Sequence, residues 1–148
     1  MEIASPEVLI ADTSFLGHFD TSRRSPERYG EWPSDTLDRI AASQLAITPF
    51  TLAEVRYGYR RAGWGPARVA QAEHTLAGYV LIPLDEATLD AFVDLKLWCE
   101  QAGTAMGAHD CWIAATAVSR EIPLVSCDRV HCDLPGLDTI FLEPPLAD

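Results

Sequence analysis

Basic charge is scarce in this chain. Eleven Lys and Arg stand against 22 Asp and Glu, a formal net charge of −11 over 148 residues. That balance excludes a protein gripping nucleic acid through general positive charge. Long apolar runs are missing too. Nothing approaches the roughly 20 residues needed to cross a bilayer, and the opening MEIASPEVLIADTS is acidic where a secretion leader is basic. The reading is a protein of the cytoplasm with no membrane attachment. Cysteine occurs at Cys99, Cys111, Cys127 and Cys132 but never as Cys-x-x-Cys, which argues against a zinc site. Cys111 and Cys127 lie in apolar segments and read as reduced, buried thiols. No internal repeat, low-complexity tract or Gly-rich phosphate loop is present. The length and a hydrophobic content of 48% fit one domain over residues 1–148 with one real core.

What charge there is lies unevenly. Residues 1–84 carry 10 acids and 8 arginines, and residues 85–148 carry 12 acids and 3 bases. Along the chain, short apolar runs alternate with amphipathic stretches. Strands are predicted at 7–11, 45–49, 79–84, 123–127 and 138–142. Helices are predicted after Asp12, at 34–43 with Ser34 as N-cap, at 51–63, at 66–78, from Asp85 to about Ala102, and at 108–121. Residues 21–33 are polar and hold Pro and Gly, which predicts a loop or a loosely held segment. Strands alternating with helices through short connections imply a parallel sheet covered on both faces, with ligands bound at the strands' carboxyl edge.

Four acids reach that edge. Asp12 follows VLIA and Asp128 follows PLVSC, while Glu54 and Asp110 fall in the first turns of helices that start from the same side. Each has a plain structural alternative. Asp12 can cap a helix; Thr51-x-x-Glu54 matches a capping box; Asp110 suits a helix dipole; Asp128 suits an Asx-turn. None of these alternatives requires all four acids at one edge. Gathered carboxylates repel one another and raise their own pKa values, a cost that a cation relieves. Oxygen donors without Cys or His point to Mg2+, with Mn2+ as the alternative.

The segments IADTSFL, TLAEVRYG, HDCWIAATA and LVSCDRVHCDLPGL resemble the four motifs of PIN-domain ribonucleases, and most of all the VapC toxins of bacterial toxin–antitoxin pairs. The likeness runs in order over nearly the whole chain, with separations of 42, 56 and 18 residues between the four acids. It implies a three-layer PIN-like α/β domain, with a central parallel sheet of about five strands and helices on both faces. It further implies Asp12, Glu54, Asp110 and Asp128 as metal ligands and catalytic residues, and hydrolysis of RNA phosphodiesters by metal-activated water. The implied partners are an RNA substrate, a small VapB-like antitoxin and a second copy in a homodimer. The chain departs from the family pattern at Val130, where a further acid is frequent. Asp133 lies near that position but out of register.

Metal-assisted hydrolysis needs no Ser–His or Cys–His nucleophile. Ser14 and Ser126 flank the acids and are candidates for orienting water or phosphate. On the helix after Thr51, Leu52, Val55 and Tyr59 form an inward face. Glu54, Gly58 and Arg61 share another stripe, with Arg61 roughly 10 Å along the axis from Glu54. Arg56, Arg60 and Arg61 are the candidate phosphate clamp, against the alternative of a solvated basic face. His109 and His131 are expected to stay out of the chemistry, and Trp98 and Trp112 to be core. Two competing functions stand beside the nuclease. One is a phosphoryl-transfer domain with Asp12 as nucleophile, although Ser14 occupies the place where a second acid is usual. The other is a binding module that kept the fold without chemistry.

Overall fold

The computed structural model describes residues 4–146. Five strands form one parallel sheet: β1 (Val8–Ala11), β2 (Gln44–Ile47), β3 (Val80–Leu81), β4 (Leu124–Ser126) and β5 (Thr139–Phe141). Their order is β3-β2-β1-β4-β5. Six helices connect and cover them: α1 (Thr13–Arg24), α2 (Ser34–Ala42), α3 (Pro49–Arg61), α4 (Pro66–Ala77), α5 (Glu86–Ala102) and α6 (Ala108–Arg120). The expected α/β architecture is present. No helix among the described residues is long and apolar enough to cross a membrane.

β1 is central because it is apolar on both faces. Leu9, Ile10 and Ala11 are fully buried, and Ile10 sits between Ala46 of β2 and Leu124 of β4. Alternation along the strand sends Leu9 and Ala11 to one side, with Phe15, Tyr29, Trp32, Ile40 and Val125. Ile10 faces the other side, with Ala46, Ile113, Ala117 and Leu124. Beyond that layer, Ala114 and Ala115 of α6 have no side chain beyond Cβ, and this lets α5 pack closely through Leu95 and Cys99.

Several boundaries differ from the sequence reading, each for a local reason. Ser34 is the first helical residue of α2, not its cap. Pro33 precedes it in the cap position and makes no side-chain capping bond. α3 starts at Pro49, because the Thr48 side chain accepts from the Thr51 N–H. Glu54 therefore stands in the second turn, and Thr51 does not act as the N-cap of a capping box. β3 keeps only two residues, both half exposed at the sheet edge. The segment 21–33 is not loose. α1 runs to Arg24, and a 3-10 turn follows at Pro26–Tyr29. Tyr29 and Trp32 are buried there, and the Trp32 indole N–H donates to the Glu143 carbonyl at 2.7 Å. All four cysteines are unpaired. Cys111 and Cys127 are buried as expected, and burial pushes the Cys127 thiol up to about 12. Trp98 and Trp112 are half-buried, with Trp112 stacked between Phe50 and Phe92.

Candidate active site

Asp12 stands at the carboxyl end of β1, next to that of β4. It is 2% exposed. Its Oδ1 accepts from the Ser14 hydroxyl and from the Phe15 N–H, each at 2.8 Å. Its Oδ2 accepts from the Ser126 hydroxyl. Burial raises the Asp12 carboxyl above its ordinary value, against the pull of Ser126, Phe15 and Ser14 toward the charged form. The two serines singled out in the sequence thus aim Asp12. Ser14 Oγ also accepts from the Cys127 N–H, and Ser126 Oγ from the Asp128 N–H.

The other three acids stand on neighbouring segments. Asp110 stands in the first turn of α6 with its side chain 39% exposed. Glu54 is reached by the Thr13 hydroxyl at 3.3 Å, and His109 Nδ1 lies 3.7 Å from it. Asp128 is exposed, and its Oδ1 accepts from the Val130 N–H at 3.0 Å, the Asx-turn held open by the sequence. Asp133 is exposed, with a left-handed backbone (φ 63°).

The sequence reading kept His131 out of the chemistry; the structure places its ring beside two of the acids. Asp128 opens a short 3-10 turn (Arg129–His131) that carries His131 back under the sheet edge. The imidazole is fully buried. Its Nε2 lies 3.4 Å from Asp12 Oδ2 and 3.5 Å from Asp110 Oδ1. Neither ring nitrogen has a hydrogen-bond partner, an arrangement that costs about 1–3 kcal/mol for each polar atom left so. Nothing in the local sequence marks this contact, which joins His131 to a residue far earlier in the chain. His109 likewise faces Glu54.

As the side chains stand, no three His, Cys, Asp or Glu among the described residues form a ready metal-holding group. The chemistry of the donors nevertheless fits a divalent cation. Oxygens of Asp12 and Asp110 face one buried imidazole nitrogen that makes no hydrogen bond. Asp110 and Glu54 are partly exposed, so they have room to close on an ion.

The arginines of α3 divide. Arg56 is bound through two hydrogen bonds to Glu73 of α4, which also accepts from the Tyr59 hydroxyl. Arg56 first, and then Tyr59, hold the Glu73 carboxyl at about 2, below its ordinary 4.5. Arg60 and Arg61 are exposed. With Tyr57, Leu52 and Pro49 they line a surface groove of about 770 Å³. An Arg56→Gln change should therefore move the Glu73 titration midpoint up toward 4.5, read by carboxyl carbon NMR. In the parent protein, this pair's contribution to stability is present above 4.5 and lost as pH falls toward about 2. A Glu73 midpoint unmoved in the variant would show that the ion pair does not form in solution.

The PIN domain family model matches residues 9–137 of the chain. Ribonuclease VapC4 of Mycobacterium tuberculosis is 28% identical over 139 residues, covering 90% of this chain and 95% of that protein. Among solved structures, DNA-bound VapBC from Salmonella typhimurium superposes with a TM-score of 0.73 at 20% identity, covering 92% of this chain and 98% of that one. VapBC-5 from Mycobacterium tuberculosis superposes with a TM-score of 0.66 at 22% identity, covering 92% and 99%.

Proposed function

Because the chain belongs to the PIN domain family, we propose that it is an endoribonuclease of the VapC type, the toxin half of a toxin–antitoxin pair. The supporting observation is the buried Asp12, held by Ser14, Phe15 and Ser126, with Asp110 and Asp12 both facing the His131 ring. In this reading the four acids hold Mg2+ or Mn2+. A bound ion would lower the pKa of water and offset charge on the phosphoryl oxygens. Ser14 and Ser126 fix the direction of Asp12. Thr13 and His109 place Glu54, whose carboxylate would be available to take a proton from water.

The groove on α3 gives the RNA strand a path away from the acids. Arg60 and Arg61 contact phosphates there, while Arg56, engaged by Glu73, shapes the wall. The Arg60→Gln, Arg61→Gln double variant should flatten the dependence of log affinity on log salt by roughly 1.4, the share of two phosphate contacts on a single strand. Arg56→Gln should leave that slope nearly unchanged. An unaltered slope in the double variant would make the two arginines a solvated face.

The partners that go with this role are a VapB-like antitoxin and a second copy of the chain. The competing phosphoryl-transfer reading is weakened by Asp12 itself. A nucleophilic carboxylate needs an open line of attack, whereas both oxygens of Asp12 are hydrogen-bonded and buried.

Purified protein freed of any antitoxin should cut RNA with Mg2+ or Mn2+ and stop when EDTA is added. Equal cleavage in excess chelator removes the metal mechanism, and turnover of small phosphate esters without RNA cleavage removes the nuclease. Harmless expression of a protein that cleaves RNA in vitro would argue against the toxin role.

A further inference from the structure

We propose that His131 is a nitrogen ligand of the metal site, making this centre a mixed imidazole–carboxylate one that prefers Mn2+ to Mg2+. The inference rests on the metal-dependent nuclease reading and adds to it a donor outside the four acids.

The imidazole sits where a ligand has to be. It is fully buried, neither nitrogen makes a hydrogen bond, and its Nε2 lies within ion-pair distance of one oxygen each of Asp12 and Asp110. The separations of 3.4 and 3.5 Å are a few tenths of an ångström longer than the roughly 3.0 Å between adjacent donors about 2.1 Å from an octahedral ion, so a small inward movement of Asp110 would complete the set. They are too long for good hydrogen bonds. Two of the three donors are rigid. Asp12 is held by three hydrogen bonds. The backbone at His131 is pinned by the Thr139 hydroxyl, which donates to its carbonyl at 2.8 Å, and by the Asp128 turn. The third, Asp110, is 39% exposed and adjustable. A site with two fixed donors and one that closes on binding explains why no group of three stands assembled.

The chemistry follows from the nitrogen. Mg2+ takes oxygen ligands and keeps its waters, whereas imidazole suits the transition-metal divalent ions. A role in packing alone makes a different demand, since any ring of similar volume would fill this position.

The decisive measurement is electron spin-echo envelope modulation of the full-length protein loaded with Mn2+, which detects a directly coordinated 14N. The parent protein should show the imidazole modulation. His131→Phe, which keeps the ring volume, and His131→Asn should lose it, and His109→Asn should keep it. Calorimetric titrations with MnCl2 and MgCl2 should find Mn2+ bound at least about tenfold tighter than Mg2+ by the parent. That preference should shrink by about tenfold in His131→Phe. Mn2+ binding and RNA cleavage by the parent without 14N modulation would overturn the assignment of His131 and leave the nuclease intact. A modulation that survives in His131→Phe and disappears in His109→Asn would transfer the ligand to His109. No Mn2+ binding together with no cleavage would remove the nuclease reading itself. Because the first observation is made on the parent protein, it does not depend on either His131 variant folding.

Discussion

Asp12→Asn should lower RNA cleavage by at least about a hundredfold and leave the protein folded. Asparagine keeps the shape, so its amide oxygen can still accept from the Ser14 hydroxyl and the Phe15 N–H. Its amide nitrogen would then meet Ser126 Oγ, which can turn to donate to the Asp128 carbonyl oxygen 3.3 Å away. What disappears is a buried charge. Burial raises the Asp12 carboxyl. The stability linked to this group is therefore fully present below the ordinary carboxylate value of 3.8 and lost as pH rises through the raised folded value. In EDTA at neutral pH the variant should be as stable as the parent or more so, and should lack that pH dependence. Added Mg2+ or Mn2+ should raise the parent's melting temperature more than the variant's, because the ion binds only the intact folded site. A destabilised variant that still cuts RNA would falsify the assignment of Asp12.

Phe15→Ala should remove about 3–5 kcal/mol of unfolding free energy. The ring is fully buried and stacks on Phe19 and near Trp32, with centroids 5.1 and 6.5 Å away. For a chain of this size the melting temperature should fall by roughly 10 °C or more. Phe15→Leu, which keeps most of the volume, should cost under about 1.5 kcal/mol. The position matters beyond packing, since its backbone N–H is one of the donors that aim Asp12. Urea unfolding of the two variants measures the difference. A cost under about 1 kcal/mol for the alanine change would mean that the site end of α1 is not anchored through this ring.

The sheet was legible because the strands are short apolar runs that end in punctuation. VLIA stops at Asp12 and LVS stops just before Cys127 and Asp128, so two of the acids could be placed at one edge from the sequence alone. Local competition was harder to read. Thr48 and Thr51 both suit a helix start, and only the observed bond from the Thr51 N–H to the Thr48 side chain decides between them. Edge and centre were also hidden, since YVLIPL is as apolar as EVLIA yet β3 is half exposed. In the segment 21–33 the charges and prolines masked Tyr29 and Trp32, whose burial closes the core beside Phe15. His131 was out of reach for a different reason. Its meaning depends on a turn that reverses the chain after Asp128 and on contacts with residues far earlier in the sequence. The arginines were legible as a group, but the partnership of Arg56 with Glu73 joins two helices and leaves no mark in composition.

The strand order places the first strand made in the middle of the finished sheet. Asp12 leaves the ribosome early, yet the hydroxyl that steadies its Oδ2 lies 114 residues later, at Ser126. His131 follows later still, and β4 cannot pair with β1 until then. A nascent chain therefore carries this carboxylate for 114 residues of synthesis with Ser14 and Phe15 beside it but without the hydroxyl that steadies its Oδ2. Contacts this distant along the chain are slow to form. If the proposed RNA cleavage is its activity, the order of synthesis is itself a delay, because the buried carboxylate is fully held only once β4 has paired with β1.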